Sequence, residues 1–299
     1  MGKKIGVLMG GLSEEREISL KTGAAILKAL GVRGYRAAAI DAGRDLAAVL
    51  VKSKVEVAFL ALHGRYGEDG CVQGLLEVMG IPYTGSGVQA SSVAMDKVSA
   101  KKMLIFNGIS TPDFSVLAEG KKTPSLKLPL VVKPASQGSA IGVSIVKRRS
   151  DFAGAVKEAS RHGKAVMVEK YIEGRELTVS ILDGKVLPII EICPREGFYD
   201  YTNKYTKGKT DFLVPARLKR TTLKRVEKEA LGAYHALGCS GAARVDVMLG
   251  GKEAPFVLEV NTIPGMTELS LFPRAAAEAG LDYPALVEKM LMGAGVDKF

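Results

Sequence analysis

The chain has 299 residues, of which 47% are apolar and 25% are charged, so it is long enough for two or three domains with buried cores. This composition excludes a disordered chain, and the lack of a repeat of fixed period excludes a solenoid. A net charge of +10 attracts anions, either a nucleic acid or a small polyphosphate. The basic residues are scattered and are not interleaved with aromatic residues, which argues against nucleic acid.

Three widely spaced cysteines predict neither a disulfide framework nor a zinc cluster and are typical of a reducing compartment: Cys71, Cys193 and Cys239. No apolar run approaches the ~20 residues of a membrane span. Lys3 and Lys4 lead into only a short apolar strand, which is not a signal-peptide pattern. We therefore expect a cytoplasmic protein that binds no membrane.

The first third of the chain alternates strands with helices. Strands are predicted over residues 4–9, 35–41, 55–62 and 81–84. One helix follows Gly10-Gly11 with Ser13 as its cap, and another is predicted over residues 72–78. This rhythm predicts a parallel sheet covered by helices, with ligands bound beyond the carboxyl ends of the strands. The loops at Gly10-Gly11 and His63-Gly64 lie at such ends.

The middle of the chain changes to an α+β pattern after a long helix predicted over residues 88–106. Strands are predicted over 128–134, 142–147 and 165–171, with a helix capped by Ser150 and ending near residue 162. In the last third, Asp183-Gly184 predicts a hairpin between strands at 176–182 and 185–192. The remaining predicted elements are a helix over 221–237, a second hairpin of strands 242–249 and 255–262, and an irregular segment over 194–212 that is typical of a functional lid.

The second hairpin carries the most informative group of side chains. Because side chains alternate along a strand, Arg244 and Asp246 face away from Val245, and Glu259 and Asn261 face away from Leu258 and Val260. If all four polar residues lie on one side of the sheet, three oxygen ligands and a guanidinium converge, as in magnesium–nucleotide sites. The alternative is an ordinary hairpin with a polar face turned to solvent.

A glycine-containing loop, ASQGSAIG, follows Lys133 and spans residues 135–142. Its small residues allow backbone N–H groups to approach phosphate, although a plain hairpin turn has the same composition. Neither GxxxxGK[ST] nor GxGxxG occurs, which argues against P-loop kinases and simple dehydrogenases. Three other patterns have both functional and ordinary explanations. Taken alone, Glu169-Lys170 and Glu176 are explained as surface charges. A lone histidine such as His63 is more often a structural hydrogen-bonding residue. Pro264-Gly265 predicts a turn, which is either a plain turn or one whose backbone N–H donates into an active site.

Taken together, nine segments between Gly10 and Leu271 resemble the D-alanine–D-alanine ligase family of the ATP-grasp superfamily, in order and with fitting gaps. They are GGLSEEREISL, HGRYGEDG, PYTGSG, MDK, VVKPASQGSAIG, EKYIEGRELTV, FYDYTNKY, RVDVML and LEVNTIPGMTELSL. The resemblance implies an α/β N-terminal domain with a parallel, Rossmann-like (preATP-grasp) sheet, followed by an ATP-grasp fold of two α+β subdomains. We expect an N-terminal substrate-binding domain over 1–94, a central ATP-grasp subdomain over 95–174 and a C-terminal subdomain with the metal and catalytic residues over 175–299.

The resemblance also implies a role for each residue in a matching motif. Two Mg²⁺ ions, replaceable by Mn²⁺, are expected on Asp246, Glu259 and Asn261. ATP is expected to bind Lys97, Lys133, Ser139, Glu169, Lys170, Glu176 and Lys204, with adenine at Glu169-Lys170, ribose at Glu176 and the terminal phosphate at Lys204. The first D-alanine is expected at Glu15 and His63, and the carboxylate of the second at Ser270 and Leu271. Glu15, Ser139 and Tyr205 are expected to form a hydrogen-bonded set, while Arg244 and the Gly265 backbone stabilise the oxyanion.

The implied reaction is ATP-dependent ligation of two D-alanine molecules through an acylphosphate, which supplies a peptidoglycan precursor, and the expected assembly is a homodimer. Two departures from the family pattern, Gln137 and Ala140, put only the detail of the phosphate loop in doubt. Three alternatives stay open: an ATP-grasp ligase for another acid and amine, a basic nucleic-acid-binding protein, and a nucleotide-binding regulator without turnover.

Overall fold

The computed structural model describes residues 3–117, 126–138, 140–163, 165–195, 208–268 and 270–298. Three sheets follow one another along the chain: a parallel sheet of three strands, an antiparallel sheet of four and an antiparallel sheet of six. This arrangement confirms the predicted combination of α/β and α+β structure. Within the described ranges, no helix is long and apolar enough to cross a membrane.

The parallel sheet has the order β2-β1-β3, with β1 at Ile5–Met9, β2 at Ala37–Asp41 and β3 at Val57–Leu60. Strands β1 and β3 are apolar and almost completely buried, as expected for a parallel sheet covered by helices, whereas the edge strand β2 is partly exposed. These helices are α1 (Arg16–Val32), α2 (Leu46–Ser53) and α3 (Cys71–Val78).

Two predictions for this region are wrong. Residues 81–84 do not form a strand; only Tyr83 pairs, with Ala58 and Gly295. Pro82 lacks an N–H for a ladder, and Gly85 turns the chain at φ 83°. Ser13 does not cap α1 either, because Glu15 occupies the cap position and the Ser13 hydroxyl accepts the Glu15 N–H at 3.2 Å in the preceding turn.

The long helix predicted over 88–106 is two helices, α4 at Val88–Met95 and α5 at Lys97–Phe106. Asp96 between them is extended, with φ −87° and ψ 100°, and its carboxylate accepts the Ser99 N–H at 2.7 Å. An N-cap of this kind stops one helix and starts the next in a new direction. The break matters because α5 begins with Lys97, whose N–H donates to the Ala135 carbonyl at 2.9 Å.

The four-stranded sheet has the order β4-β7-β5-β6 and is packed against helix α6 (Phe152–Ser160). Ser150 lies in a short 3₁₀ turn, Arg149–Asp151, and its hydroxyl contacts Asp151, so the prediction that it caps α6 is wrong. The glycine-containing loop joins the adjacent strands β5 and β6. The strands are β4 (Phe114–Leu117), β5 (Leu130–Pro134), β6 (Ser144–Val146) and β7 (Val166–Lys170).

The six-stranded sheet has the order β11-β10-β8-β12-β13, with β9 paired to β8. Both predicted hairpins are confirmed, and Asp183-Gly184 has the positive φ angles, 51° and 72°, of a tight two-residue turn. Helix α7 (Arg220–Ala236) covers one face with Val226, Ala230 and Ala233. The strands are β8 (Arg175–Leu182), β9 (Lys185–Val186), β10 (Ile190–Pro194), β11 (Thr210–Leu213), β12 (Ala242–Leu249) and β13 (Pro255–Asn261).

Two further predictions in this sheet need correction. The strand expected over 185–192 is divided into β9 and β10, because Pro188 between them has no N–H to donate. The segment expected to be irregular over 194–212 ends in β11, which pairs with β10. Residues 196–207 of the expected lid, with Lys204 and Tyr205, lie outside the described residues.

The end of the chain returns to the parallel sheet. Helix α8 (Leu271–Glu278) is followed by α9 (Tyr283–Met292), and Leu286 and Val287 of α9 are fully buried in the same core as Ile5 and Ile26. The N-terminal sheet is therefore covered in part by residues nearly 300 positions away in sequence.

Candidate active site

A cavity of about 420 Å³ lies where the four-stranded and six-stranded sheets face each other. A volume of this size is within the range of small-molecule sites. The residues around it come from β5, β6, β7, β8, β10, β12, β13 and the start of α5. Seven of the residues predicted for nucleotide and metal binding line the cavity: Lys97, Lys133, Glu169, Lys170, Glu176, Asp246 and Glu259.

Apolar side chains form another part of the cavity wall, including Val131, Ile145, Met248 and Leu258. The prediction that Leu258 faces away from Glu259 is wrong, since both line the cavity. The pairing of β12 and β13 shifts register between Asp246 and Val247, and such a bulge interrupts the alternation of side chains. The site thus combines apolar side chains with several charged groups.

Glu169 is the centre of a buried cluster of charges. Its carboxylate oxygens lie 2.9 Å from Lys133 Nζ and 2.7 Å from Lys101 Nζ. Burial alone would raise the pKa of Glu169, but the two lysines outweigh it and hold that pKa below its ordinary value. Burial lowers the pKa of Lys101 to about 8. Sequence reasoning missed Lys101; the available signal was its position four residues after Lys97, on a helix face that also buries Leu104.

Lys97 joins the glycine-containing loop to the second hairpin. Its Nζ donates to the Gln137 carbonyl at 2.8 Å and lies 2.9 Å from a carboxylate oxygen of Glu259. Burial raises the pKa of Glu259, but Lys97 and Lys133 exceed that effect and bring it to about 2. Glu259 is therefore a full negative charge at neutral pH. The Gln137 side chain, one of the two departures from the family pattern, donates to the His162 carbonyl at 3.0 Å and holds the base of the loop.

Asp246 accepts hydrogen bonds from three side chains. Arg244 binds it through two nitrogens, at 2.9 and 2.8 Å, and the Asn261 amide donates to it at 3.2 Å. Arg244, Asp246 and Asn261 thus lie on one side of the sheet, which is the condition that the sequence left open for a metal site. The Thr178 hydroxyl also donates to Asp246, at 2.6 Å. Sequence reasoning missed Thr178, although it alternates with Glu176 on the same face of β8.

The donor set fits a magnesium ion that is shared with phosphate. Asp246, Glu259 and Asn261 offer two carboxylates and an amide oxygen, the hard ligands that magnesium prefers. Among the described residues, no group of three or more His, Cys, Asp or Glu side chains could hold a metal ion. The protein ligands are too few for an all-protein cage, so an ion here would need oxygens from a bound nucleotide or from water.

The N-terminal candidates lie beside the glycine-containing loop. A Cβ placed on Gly138 would be 3.4 Å from a carboxylate oxygen of Glu15, and one on Gly64 would be 3.0 Å from the same oxygen. Glu15 therefore lies between the His63-Gly64 loop and the residue that precedes Ser139. The His63 ring is buried, with Nε2 3.3 Å from the Thr22 hydroxyl and Nδ1 3.9 Å from Glu68. Ser139 itself lies outside the described residues.

The candidates for the second substrate lie at the start of α8. Ser270 precedes the helix, and its hydroxyl is 2.8 Å from the Thr267 hydroxyl and 3.1 Å from where a Cβ on Gly265 would stand. The Leu271 side chain is buried in the core with Ile190 and Ile192. Of Leu271, only the backbone is thus available for a carboxylate, and helix N-termini bind anions through such N–H groups.

Comparison with known proteins agrees with this geometry. A family model described as the D-ala D-ala ligase C-terminus matches residues 107–292, and the corresponding N-terminus model matches residues 41–86. A D-alanine–D-alanine ligase of Syntrophotalea carbinolica is 56% identical over 99% of this chain and 97% of its own length. The enzyme of the same name from Geotalea uraniireducens is 51% identical over 98% of this chain and 96% of its own.

Two solved structures have the same architecture. A D-alanine–D-alanine ligase from Bacillus anthracis in complex with ATP aligns with a TM-score of 0.86 and 38% identity, over 98% of this chain and 97% of the other. A second structure of that ligase has a TM-score of 0.89 and 40% identity over the same shares. This agreement confirms the ATP-grasp fold. Since the matches span the cavity and nearly the whole length of the relatives, this chain belongs to the D-alanine–D-alanine ligase family.

Proposed function

We propose that the chain joins two D-alanine molecules to D-alanyl-D-alanine, with conversion of ATP to ADP and phosphate, and so supplies a peptidoglycan precursor. The observation that carries the proposal is the cavity between the antiparallel sheets, where Lys97, Lys133, Glu169, Asp246 and Glu259 converge. Its apolar wall suits adenine, and its lysines suit phosphates. We infer the amino-acid substrate, D-alanine, from membership of the family.

Within this function, ATP would lie with adenine near Glu169-Lys170, ribose at Glu176 and phosphates near Lys97 and Lys133. Lys204, Ser139 and Tyr205 keep their expected roles as predictions. Magnesium, or manganese in its place, would be held by Asp246, Glu259 and Asn261, and would neutralise charge on the phosphates when bound. The Asn261 amide supports this, since its nitrogen donates to Asp246 and its oxygen can therefore serve as a ligand.

The chain's own residues would then perform two tasks. A carboxylate is a poor acyl donor, so phosphoryl transfer to the first D-alanine would make an acylphosphate, with Lys97 and Lys133 balancing the charge. Glu15 would hold the ammonium of that D-alanine, with His63 nearby. The amine of the second D-alanine, oriented by Ser270 and the Leu271 backbone, would attack the carbonyl carbon of the acylphosphate, and phosphate would leave as the amide bond forms. The Arg244 guanidinium and the Gly265 N–H would stabilise the oxyanion.

The wider arrangement is also a proposal. The three sheets support domains over 1–94, 95–174 and 175–299, with the active site between the last two and the N-terminal domain closing one side. A homodimer and a cytoplasmic location are the assembly and the compartment we propose. An ATP-grasp ligase for a different acid and amine is the competing function, because only the residues near the amino acids separate the two.

The decisive experiment supplies the protein with ATP, magnesium and D-alanine and measures phosphate release together with dipeptide by mass spectrometry. We expect D-alanyl-D-alanine, one phosphate for each dipeptide, and little product from L-alanine. A panel of other D- and L-amino acids tests the competing ligase. If folded protein binds ATP but forms dipeptide only with another amino acid, the D-alanine assignment is wrong.

A further inference from the structure

Lys101 is a charged residue that the reaction, as described above, does not use. It is fully buried on helix α5 and does not line the cavity. Its Nζ lies 2.7 Å from one carboxylate oxygen of Glu169, 2.6 Å from the Thr111 hydroxyl and 3.2 Å from the Pro112 carbonyl. A buried ammonium is costly unless it is paired and hydrogen-bonded, and here it has both kinds of partner.

The other oxygen of Glu169 contacts Lys133, which does line the cavity. The three groups Lys101, Glu169 and Lys133 together carry a net charge of about +1 at neutral pH. Without Lys101, the remaining Glu169–Lys133 pair would be neutral.

We propose that Lys101 is a positioning residue for nucleotide binding. It binds the carboxylate oxygen of Glu169 that does not contact Lys133, and its charge offsets that of Glu169. The positive charge of Lys133 therefore stays available to the phosphates. The proposal depends on the proposed function only in taking the occupant of the cavity to be a nucleotide. A second contact links Lys101 to β13. The Thr111 hydroxyl accepts a hydrogen bond from Lys101 and donates one to the Val257 carbonyl at 2.7 Å. Lys101 thus fixes Glu169 against the strand that carries Glu259.

The experiment compares Lys101→Met with Lys102→Met, a substitution of the exposed neighbour on the same helix. Dissociation constants for ADP with magnesium are measured by calorimetry, and melting temperatures are measured on the same samples. We expect the Lys101 variant to bind ADP about tenfold more weakly, as for loss of one charged hydrogen bond, and the Lys102 variant to bind as the wild type does. A folded Lys101→Met protein with wild-type ADP affinity overturns the proposal and shows a purely structural role.

A double-mutant cycle tests whether Lys101 acts through Glu169. In a Glu169→Gln background, Lys101→Met should change ADP affinity by less than about twofold, because its partner charge is gone. A further tenfold loss in that background contradicts the proposal. If Lys101→Met alone does not fold, the double variant replaces it, since it does not leave the buried Glu169 carboxylate facing an apolar side chain, and it is compared with Glu169→Gln. This experiment measures ADP affinity and not dipeptide formation. If the wild-type protein binds ADP but makes no D-alanyl-D-alanine in the separate activity assay, only the proposed function is refuted.

Discussion

At the scale of single residues, three carboxylates of the cavity wall already have cationic partners. Glu169 is bound by Lys101 and Lys133, Glu259 by Lys97 and Asp246 by Arg244. Removing one member of such a pair leaves a charge without compensation, which is more damaging than removing both. Substitutions at this site therefore need to be matched in size and checked for folding before activity is interpreted.

Glu259→Gln is the most direct test of the metal site. The low pKa of Glu259, about 2, means that the substitution removes a full charge at neutral pH while the side chain keeps its size. We expect turnover to fall by several orders of magnitude in a protein that still folds, with a lower melting temperature because Lys97 loses its partner. Steady-state phosphate release in saturating magnesium measures the effect. Near-normal turnover would remove Glu259 from the metal-binding residues.

Arg244→Lys tests the proposed oxyanion role. Lysine keeps the charge but loses the planar fork that holds Asp246 through two nitrogens. We expect ADP affinity to persist and turnover to fall by about 10²–10³, the typical effect of losing one oxyanion donor. The control is Arg195→Lys, which changes an exposed bidentate pair with Asp211 and should leave turnover unchanged. A lower melting temperature with intact turnover would make Arg244 a structural residue.

At the scale of secondary-structure elements, hydrophobic periodicity predicted most strands and helices but not their interruptions. The break at Asp96, the division at Pro188 and the bulge after Asp246 each depend on one residue or one pair of strands. Of these, Pro188 and the capping residue Asp96 were local signals that could have been used. The bulge depends on how β12 and β13 pair, which no window of sequence contains, and it brings Leu258 into the cavity.

The residues of the candidate site also differ in how well the sequence predicts them. Residues in compact motifs, such as Lys133 and Glu259, could be predicted from the sequence because the family resemblance covers them. The roles of Lys101 and Thr178 could not be predicted, because their spacing from Lys97 and Glu176 indicates only a shared face. Their partners are 68 residues away along the chain: Lys101 meets Glu169, and Thr178 meets Asp246. A buried polar group is recognised only when the fold shows what it contacts.

Helix α5 offers a prediction at this scale. Asp96 caps it by accepting the Ser99 N–H at 2.7 Å, and Asp282 caps α9, also a 10-residue helix, by accepting the Ala285 N–H at 2.8 Å. Alanine at either position should cost about 1 kcal/mol of stability. Only Asp96→Ala should weaken ADP binding, because α5 carries Lys97 to the cavity. Equal ADP affinity in the two variants, measured by calorimetry, would show that the start of α5 does not position Lys97.

At the scale of the whole molecule, the first strand and helix of the chain pack against its last two helices in one core. Helix α9 completes the core of the parallel sheet, and Gly295 pairs with Tyr83 beside the loop that precedes α4. The cavity lies between the two antiparallel sheets, so side chains from distant parts of the chain meet there. Stability and nucleotide binding are therefore properties of the assembled molecule and not of one segment.

The last prediction concerns how magnesium and nucleotide depend on each other. Asp246 and Glu259 are neutralised by Arg244 and Lys97, and the described residues offer no metal site made of three or more acidic, His or Cys side chains. Magnesium alone should therefore leave the melting temperature unchanged. Magnesium together with ADP at about 100 times the dissociation constant of the pair should add about 2.7 kcal/mol of stability, or about 4 °C for a chain of this length.

Thermal unfolding with magnesium alone, ADP alone and both together measures this coupling. ADP without metal should give a smaller shift than the pair, because phosphate oxygens complete the coordination that the protein provides only in part. Calcium at the same concentration is the matched control for ionic strength and for cation size, and it should give a smaller shift with ADP than magnesium does. A full shift with magnesium alone would mean that the chain holds the ion without a nucleotide, and the metal would then have to be assigned to other residues.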